Sequence, residues 1–369
     1  MQSLRRYSRH LLIPEVGLAG QERLAQARVM VVGAGGLGSP VLAYLAAAGV
    51  GRIGIVDDDV VDVTNLQRQI LYQTADVGGG KAQLAAERLR ALNPQIALDP
   101  IPVRFDASNA RELVRLYDVV VDGTDSFATR YLINDACVLE RKPDVYGSIF
   151  RFDGQISIFG TPGQPCYRCL YPEPPPPDTV PTCAEGGVLG VLPGIVGTWQ
   201  ANETLKLLLG IGAPLIGRLA VIDALSGRMR EFRIERDPAC AICGDAPSIT
   251  DVQDVDDGTR VVARDEAEIE APDLDTFLRM HPSAQILDVR EPHEAVLGSP
   301  PRSVAIPVSK LEARMHELDT AQDYIVACRV GTRSLWAAQR LRDAGFGRIW
   351  HLTGGLLALA ARDESFEFF

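Results

Sequence analysis

Short apolar runs alternate with helical patterns along the first two thirds of the chain. The run at residues 28–32 is rich in valine and has no polar alternation, which is typical of a buried parallel strand. A glycine turn, an Ala- and Leu-rich helix and a second strand at residues 52–56 follow, which completes a βαβ unit. A later apolar strand covers residues 119–121, and the alternation continues to about Asp223. This pattern predicts one doubly wound, Rossmann-like α/β domain over residues 1–246.

A fresh α/β pattern occupies the last third of the chain. Residues 247–265 are acidic and weakly patterned, so they predict a linker. The elements predicted after it are a helix at 274–280, strands at 285–288 and 324–327, and a helix at 334–344. We therefore expect a second, small α/β domain over residues 266–369.

The composition limits the classes of function. The chain has 369 residues, enough for two domains, and no apolar stretch long enough to cross a membrane. Because its beginning also lacks the apolar core of a signal peptide, we expect a cytoplasmic protein. The formal net charge of −11 argues against general nucleic-acid binding, which needs a positive field. Seven cysteines, an odd number, indicate metal binding or thiol chemistry rather than a disulfide framework.

The glycine turn at residues 33–38 fits the pattern G-x-G-x-x-G, which brings backbone N–H groups close to a phosphate. Asp57 ends the next strand, where a carboxylate can accept hydrogen bonds from ribose hydroxyls. Taken alone, the arrangement fits a nicotinamide enzyme as well as an ATP enzyme. A glycine turn needed only for packing is the third interpretation.

Two cations after the turn favour a triphosphate. Arg68 and Lys81 come from separate loops and can share the charge of β- and γ-phosphates, although each alone is typical of a solvated surface residue. Asp125 follows a strand at the carboxyl edge of the sheet, where an oxygen ligand could hold Mg²⁺. The alternative for Asp125 is the N-cap of a helix that starts at Phe127, and both roles can coexist.

Four of the cysteines form two C-x-x-C pairs. The pairs are Cys166 with Cys169 and Cys240 with Cys243. Two such pairs can complete a tetrahedron of thiolates around one structural Zn²⁺ per chain. The alternative is a thioredoxin-type redox motif, which usually begins a helix after a strand, whereas Pro165 and Pro172 bracket the first pair here.

These motifs, in this order, resemble the E1-like adenylyltransferases that activate sulfur carriers for molybdopterin, thiamine and thiolated-tRNA synthesis. The matching segments are 6–9, 33–38, 57–69, Lys81, 122–125, both C-x-x-C pairs and Thr182-Cys183. The resemblance covers essentially the whole first domain and implies that ATP and Mg²⁺ are bound there. It implies nucleotide contacts from Gly33, Gly35, Gly36, Asp57, Asp59, Thr64, Asn65, Arg68, Lys81, Asp125 and Ser126.

The resemblance also implies that Asp125 serves the metal and that Arg9 reaches into the active site of a partner subunit in a homodimer. The alternative for Arg9 is an ordinary exposed charge on an N-terminal helix. Two positions depart from the family, which usually has Asn at Ser126 and Ser at Thr64.

The second domain resembles a rhodanese, on the segments 287–292 and 328–334. A cysteine at a strand end, here Cys328, followed by a loop and a helix lies in a cradle of backbone N–H groups that stabilises an anionic persulfide. A tyrosine phosphatase is one alternative, but its cysteine and arginine are one residue further apart than Cys328 and Arg333 are here. An inert buried cysteine is the other alternative. The segment 298–301 departs from the usual Gly-His followed by one proline.

The two resemblances together imply a reaction. A ubiquitin-like sulfur-carrier protein places its C-terminal Gly-Gly tail beside Mg-ATP, the tail is adenylated, and persulfide sulfur on Cys328 converts it to a thiocarboxylate. Cys183 follows a proline-rich segment at 172–181, and it either forms an acyl or disulfide intermediate or is a bystander. The carrier could serve molybdopterin, thiamine, cysteine or tRNA-thiolation chemistry, with a cysteine desulfurase or thiosulfate as sulfur donor. The rivals are a nicotinamide-dependent oxidoreductase with a fused sulfurtransferase and a non-catalytic scaffold for a ubiquitin-like protein.

Overall fold

The computed structural model describes residues 2–174, 187–254, 268–295 and 298–360. The described residues fall into two compact units, one up to residue 254 and one from residue 268. The first residues of the predicted linker belong to the first unit, because Val252 is buried in one of its cores and Asp251 pairs with Arg111 at 3.0 Å. Among the described residues, each helix is too short or too polar to span a lipid bilayer.

The first unit contains nine α-helices and eight strands within its described residues. The helices are α1 (Gln2–Arg6), α2 (Ser8–Leu11), α3 (Gly17–Gln26), α4 (Gly38–Ala48), α5 (Lys81–Leu92), α6 (Ala110–Arg115), α7 (Phe127–Glu140), α8 (Tyr167–Leu170) and α9 (Val191–Leu209). The strands are β1 (Arg28–Val32), β2 (Arg52–Val56), β3 (Ala97–Ile101), β4 (Val119–Asp122), β5 (Asp144–Phe150), β6 (Asp153–Phe159), β7 (Arg218–Asp223) and β8 (Arg228–Arg233).

These eight strands form one sheet in the order β3-β2-β1-β4-β5-β6-β7-β8. The strands from β3 to β5 are parallel, as the βαβ pattern predicts, and helices cover both faces. From β5 onward the pairs are antiparallel, so the predicted alternation ends earlier than Asp223. For β5 with β6 and for β7 with β8 the reason is connection length, since only Arg151 and Phe152 separate the first pair, residues 224–227 separate the second, and a parallel crossover needs about a dozen residues.

The second unit is a five-stranded parallel sheet in the order β11-β10-β12-β13-β9, with a hydrophobic core on each face. Its strands are β9 (Glu268–Glu270), β10 (Gln285–Asp288), β11 (Ser303–Ala305), β12 (Tyr324–Ala327) and β13 (Ile349–Thr353). Its α-helices among the described residues are α10 (Leu274–Met280), α11 (Pro292–Ala295), α12 (Leu311–Arg314), α13 (Thr332–Asp343) and α14 (Gly355–Ala360). The predicted elements of this domain are therefore present, and the α/β fold class of both domains is confirmed.

Candidate functional site

The glycine turn lies at the point where the strand order of the first sheet reverses. Strand β1 pairs with β2 on one side and with β4 on the other, which opens a crevice at the carboxyl ends of β1 and β4. Gly33 has a φ of +90°, and a Cβ on it would lie 2.8 Å from the carbonyl oxygen of Gly123. A Cβ on Gly38 would lie 1.9 Å from the carbonyl oxygen of Gly33. The turn therefore requires glycine at both positions, because backbone occupies the space of a side chain.

Asp57 holds the glycine turn against the end of β2. One of its carboxylate oxygens accepts a hydrogen bond from the Ala34 N–H at 2.7 Å, and the other accepts from the Asp59 N–H at 2.9 Å. Burial raises the pKa of Asp57, and the Ala34 N–H and the Lys81 charge offset this only in part. The sequence suggested a ribose contact for Asp57, whereas these bonds show that the carboxylate also shapes the turn.

The two predicted cations lie beside this turn. The Lys81 side chain is buried, and its Nζ donates to the exposed Asp59 carboxylate at 2.8 Å. Arg68 packs against the turn, since a Cβ on Gly36 would lie 3.5 Å from Arg68 Cγ, and its Nη1 donates to the Thr64 carbonyl at 3.0 Å. The alternative that Lys81 is an ordinary solvated surface residue is therefore wrong.

The predicted polar residues between β2 and α5 form a short turn. Asp62 accepts hydrogen bonds from the N–H and the hydroxyl of Thr64, and Asn65 Oδ1 accepts from the Asp62 N–H at 3.3 Å. Gln69 was not singled out from the sequence, yet it is buried and its amide lies 3.5 Å from a Cβ placed on Gly35. The Oε1 of Gln69 has no hydrogen-bond partner among the described residues. The sequence signal that could have indicated Gln69 was its position directly after Arg68 in a polar segment.

Asp125 lies exposed just past the carboxyl end of β4. Helix α7 is capped by Ser126, whose Oγ accepts from the Thr129 N–H at 3.4 Å. The alternative that Asp125 caps this helix is therefore wrong, because the neighbouring hydroxyl already takes that place. An exposed carboxylate at this edge suits a hard cation, and the Mg²⁺ site stays a prediction.

The remaining predicted residues of the first domain are Arg9 and Cys183. Arg9 is exposed on α2, so its action across a dimer stays a prediction. Cys183 lies outside the described residues.

The four cysteines of the C-x-x-C pairs meet in one cluster. Their Sγ atoms lie within 4.8 Å of one another, with separations of 4.0 Å (Cys166–Cys169), 3.6 Å (Cys166–Cys240) and 3.3 Å (Cys169–Cys243). Zinc–sulfur bonds of about 2.3 Å place tetrahedral sulfur atoms about 3.8 Å apart. The cluster therefore fits a closed, four-thiolate zinc site, and the donors have the softness that zinc or another thiophilic ion prefers.

The thiols of the cluster differ in how readily they ionise, and the hydrogen bond with Cys243 together with burial raises the pKa of Cys166. Hydrogen bonds from the other thiols, Cys166 first, lower the pKa of Cys243 to about 5, while burial raises the pKa of Cys169 to about 11. The Asp237 N–H also points at Cys169 Sγ, at 3.4 Å. One thiol thus ionises readily, and a divalent cation would stabilise the others as thiolates.

The cluster is anchored to α7 by residues that the sequence did not indicate. Arg168 forms two hydrogen bonds with Asp135, at 2.7 and 2.8 Å, and Asn134 accepts from the Tyr167 N–H at 2.8 Å. The first pair does begin a short helix, α8, so that argument against a redox motif was wrong. The meeting of four sulfur atoms from segments 74 residues apart supports metal binding instead.

In the second unit, Cys328 follows β12 and is fully buried. Its Sγ accepts hydrogen bonds from the N–H of Gly331 at 3.1 Å and of Ser334 at 3.4 Å. The glycine pair at 354–355 packs against the same loop, since a Cβ on Gly355 would lie 2.6 Å from the carbonyl oxygen of Cys328. The predicted cradle of N–H groups is therefore present, and helix α13 begins behind it.

Two buried ion pairs lie in this unit, one of them with the arginine of the Cys328 loop, and neither was predicted. Arg333 forms hydrogen bonds of 2.6 and 2.7 Å with the two carboxylate oxygens of Glu294. Arg290 forms a similar pair with Asp288, the shortest bond being 2.7 Å, and also donates to the Gly298 carbonyl. The departure at 298–301 therefore keeps a backbone acceptor for Arg290. The sequence signal that could have indicated these ion pairs was the segment 287–292, which contains Asp288 and Arg290.

Comparison with known proteins agrees with both parts of the chain. A model of the ThiF family matches residues 7–242, and a model of the rhodanese-like domain matches residues 272–362. The Thermus thermophilus protein named sulfur carrier protein adenylyltransferase is 55% identical over 258 residues, which cover 69% of this chain and 95% of that protein.

Relatives with both domains are also similar. The Mycobacterium tuberculosis protein named probable adenylyltransferase/sulfurtransferase MoeZ is 45% identical over 371 residues, covering 97% of this chain and 93% of that protein. The Mus musculus protein named adenylyltransferase and sulfurtransferase MOCS3 is 46% identical over 320 residues, covering 84% of this chain and 70% of that protein. The solved structure of E. coli MccB with ATP covers 65% of this chain and 74% of its own, with a TM-score of 0.56. At 24% identity it shows likeness of fold alone. The chain therefore belongs to the ThiF family, carries a rhodanese-like domain after the ThiF domain, and is an enzyme of the adenylyltransferase and sulfurtransferase class.

Proposed function

We propose that this enzyme adenylates the C-terminal glycine of a small ubiquitin-like sulfur-carrier protein and then replaces the adenylate with sulfur from Cys328. The observation that carries the proposal is the presence, in one chain, of a phosphate-type glycine turn flanked by Lys81 and Arg68 and of a buried cysteine under two N–H donors. The first suits a triphosphate and the second suits an anionic sulfur.

Adenylation begins when the carrier carboxylate attacks the α-phosphate of ATP and pyrophosphate leaves. Negative charge builds on the leaving pyrophosphate, and Lys81 and Arg68 are the cations beside the turn that can stabilise it. In this structure Lys81 is paired with Asp59, so a phosphate would compete with that exposed carboxylate for the ammonium group. Mg²⁺ held by Asp125 would supply further charge neutralisation at the phosphates.

Sulfur transfer starts from a persulfide on Cys328. Its terminal sulfur attacks the acyl carbon, a C–S bond forms, and AMP leaves with the electrons of the broken C–O bond. A thiolate, which we assign to Cys183, then attacks Cys328 Sγ and releases the carrier thiocarboxylate. This leaves a disulfide that an external thiol must reduce.

The division of labour is tested with Cys328→Ala. We expect ATP–pyrophosphate exchange with a carrier to continue at the wild-type rate, while mass spectrometry finds no exchange of oxygen for sulfur at the carrier C-terminus. Cys137→Ala is the matched control, because Cys137 is another fully buried thiol and is not one of the predicted site residues. Loss of exchange in Cys328→Ala but not in Cys137→Ala would show that the proposed division is wrong.

Absence of exchange in the wild-type chain would favour the scaffold or the nicotinamide enzyme. Candidate carriers of the molybdopterin, thiamine, cysteine and tRNA-thiolation types are compared in the same assay. Thiosulfate and a cysteine desulfurase with cysteine are compared as donors.

The homodimer and the reach of Arg9 are tested by complementation. Arg9→Ala and Lys81→Ala are each expected to lose exchange activity. If Arg9 acts across the dimer, subunit exchange at equal amounts gives half the dimers one intact site, and so about a quarter of the wild-type activity. No recovery, although mass analysis shows mixed dimers, would place both residues at the same site of one chain. A cytoplasmic location stays a prediction.

A further inference from the structure

A serine and a histidine lie directly behind the Cys328 loop. Ser334 is in the first turn of α13 and fully buried, and His351 on β13 is 5% exposed. The Ser334 hydroxyl lies 2.8 Å from the Gly331 carbonyl oxygen and 3.2 Å from His351 Nδ1. The reaction described above uses neither side chain.

The direction of these two hydrogen bonds follows from the number of protons available. A carbonyl oxygen carries no hydrogen, so the 2.8 Å contact requires the single hydroxyl proton of Ser334 to point at Gly331. The hydroxyl must then accept a proton from His351, which places the ring hydrogen on Nδ1. The ring is neutral, because burial and then the nearby Arg342 charge lower the pKa of His351 to about 4. The three groups thus form one chain of hydrogen bonds, in which the His351 N–H donates to the Ser334 hydroxyl and that hydroxyl donates to the Gly331 carbonyl.

This chain holds the two amides that face the sulfur. Gly331 has a φ of +104°, a left-handed conformation that glycine adopts readily, and its N–H donates to Cys328 Sγ at 3.1 Å. Its carbonyl oxygen accepts from the Leu335 N–H at 3.0 Å as well as from the Ser334 hydroxyl. The second amide on the sulfur belongs to Ser334 itself, at 3.4 Å. Fixing the Ser334 hydroxyl and the Gly331 carbonyl therefore fixes both donors.

We propose that Ser334 and His351 are positioning residues for sulfur transfer, which orient the Gly331 and Ser334 amides toward the sulfur of Cys328. The inference rests on the proposed role of Cys328 as sulfur acceptor and donor. Neither side chain contacts the sulfur through its own polar atoms; each acts through the loop backbone.

The test uses thiosulfate and cyanide, which need neither ATP nor a carrier. The Cys328 thiolate attacks the outer sulfur of thiosulfate, the S–S bond breaks, and sulfite leaves with the electron pair. Cyanide then takes the outer sulfur as thiocyanate and returns the thiolate. The full chain is assayed as wild type, Ser334→Ala, His351→Phe, His351→Asn and the double variant Ser334→Ala with His351→Phe.

We expect kcat to fall about tenfold in Ser334→Ala and in His351→Phe with little change in the KM for thiosulfate, because aligned N–H donors act on developing charge. The double variant should be no worse than either single one, since both break the same chain. His351→Asn should recover most of the rate, because its amide nitrogen occupies the position of Nδ1. A wild-type rate in His351→Phe, additive losses, a rise in KM alone, or no recovery in His351→Asn would each overturn the proposal.

Folding is checked by the melting temperature of each variant. If His351→Phe unfolds, the comparison of Ser334→Ala with His351→Asn decides, since only the first should lose rate. A wild-type chain that forms no thiocyanate would remove the proposed role of Cys328 and this inference together. An active wild type with unaffected variants would remove only the inference.

Discussion

The ion pair between Glu294 and Arg333 gives the sharpest prediction of stability. Glu294 precedes the Cys328 loop in sequence by more than thirty residues, yet its carboxylate meets the arginine of that loop in two hydrogen bonds of 2.6 and 2.7 Å. The side chains are only 7% and 15% exposed. The perturbation is Glu294→Gln, which keeps the shape of the side chain and removes its charge.

The expected loss of unfolding free energy in Glu294→Gln follows from the hydrogen bonds that the glutamine side chain can still accept. Its single oxygen can take one of the two Arg333 bonds, and its amide group then faces an N–H donor. One lost bond to a charged group costs about 1.5–3 kcal/mol, so we expect about 2 kcal/mol. Glu294→Ala removes both of these hydrogen bonds and the carboxylate charge from the mostly buried guanidinium, for which about 3–5 kcal/mol is expected.

Urea unfolding measured by tryptophan fluorescence is the assay. The chain has three tryptophans, and a Trp199→Phe background leaves Trp336 and Trp350, both in the second unit. The matched control is Glu317→Gln, because Glu317 pairs with Arg314 in two bonds of 2.7 and 2.8 Å but is 43% exposed. We expect no measurable change in that control, since solvent screens an exposed pair.

The difference between wild type and Glu294→Gln also depends on pH. Burial would raise the pKa of Glu294, but the Arg333 hydrogen bonds and charge and a backbone N–H outweigh it, so the pKa is lowered from 4.5. The stabilisation is therefore fully present above pH 4.5, the unfolded value, and is lost as the pH falls through the folded value. Equal losses in Glu294→Gln and Glu317→Gln at pH 7, or a difference that does not shrink below pH 4.5, would refute the reasoning.

Three further predictions concern the first unit. Cys243→Ser should lower the zinc content well below one ion per chain and lower the melting temperature, whereas Cys137→Ala should keep its zinc, as metal analysis by mass spectrometry would show. Gly38→Ala should abolish ATP–pyrophosphate exchange because the added Cβ would lie 1.9 Å from a carbonyl oxygen of the turn, whereas Gly194→Ala, with no atom within 4 Å of its Cβ, should stay active. Burial, and then the Asp122 charge, raise the pKa of Asp144, so its stabilising effect is present at low pH and lost as the pH rises. Asp144→Asn lacks this loss, so its melting temperature should exceed that of the wild type increasingly as the pH rises above 3.8, the unfolded value.

The local patterns of the sequence were reliable wherever a feature depends on neighbouring residues. The strands at 28–32, 52–56, 285–288 and 324–327 have the bounds that their apolar runs predict. The glycine turn and the loop after Cys328 were found for the same reason, since each is a short segment whose residues determine its own backbone. The two C-x-x-C pairs also predicted four metal ligands, because cysteines three positions apart let two thiolates converge on one ion.

The tertiary structure decided which distant segments of the chain contact one another. The sequence could not show that Asp57 holds the glycine turn, that Ser126 rather than Asp125 caps α7, or that the later strands of the first sheet are antiparallel. It also could not show that Glu294 and His351 stand behind the Cys328 loop. A side chain carries the same chemical groups wherever it lies, and only the packing of the chain determines which partner meets them. The sequence by itself therefore determined the two domains and their chemistry, and the fold decided which groups hold that chemistry in place.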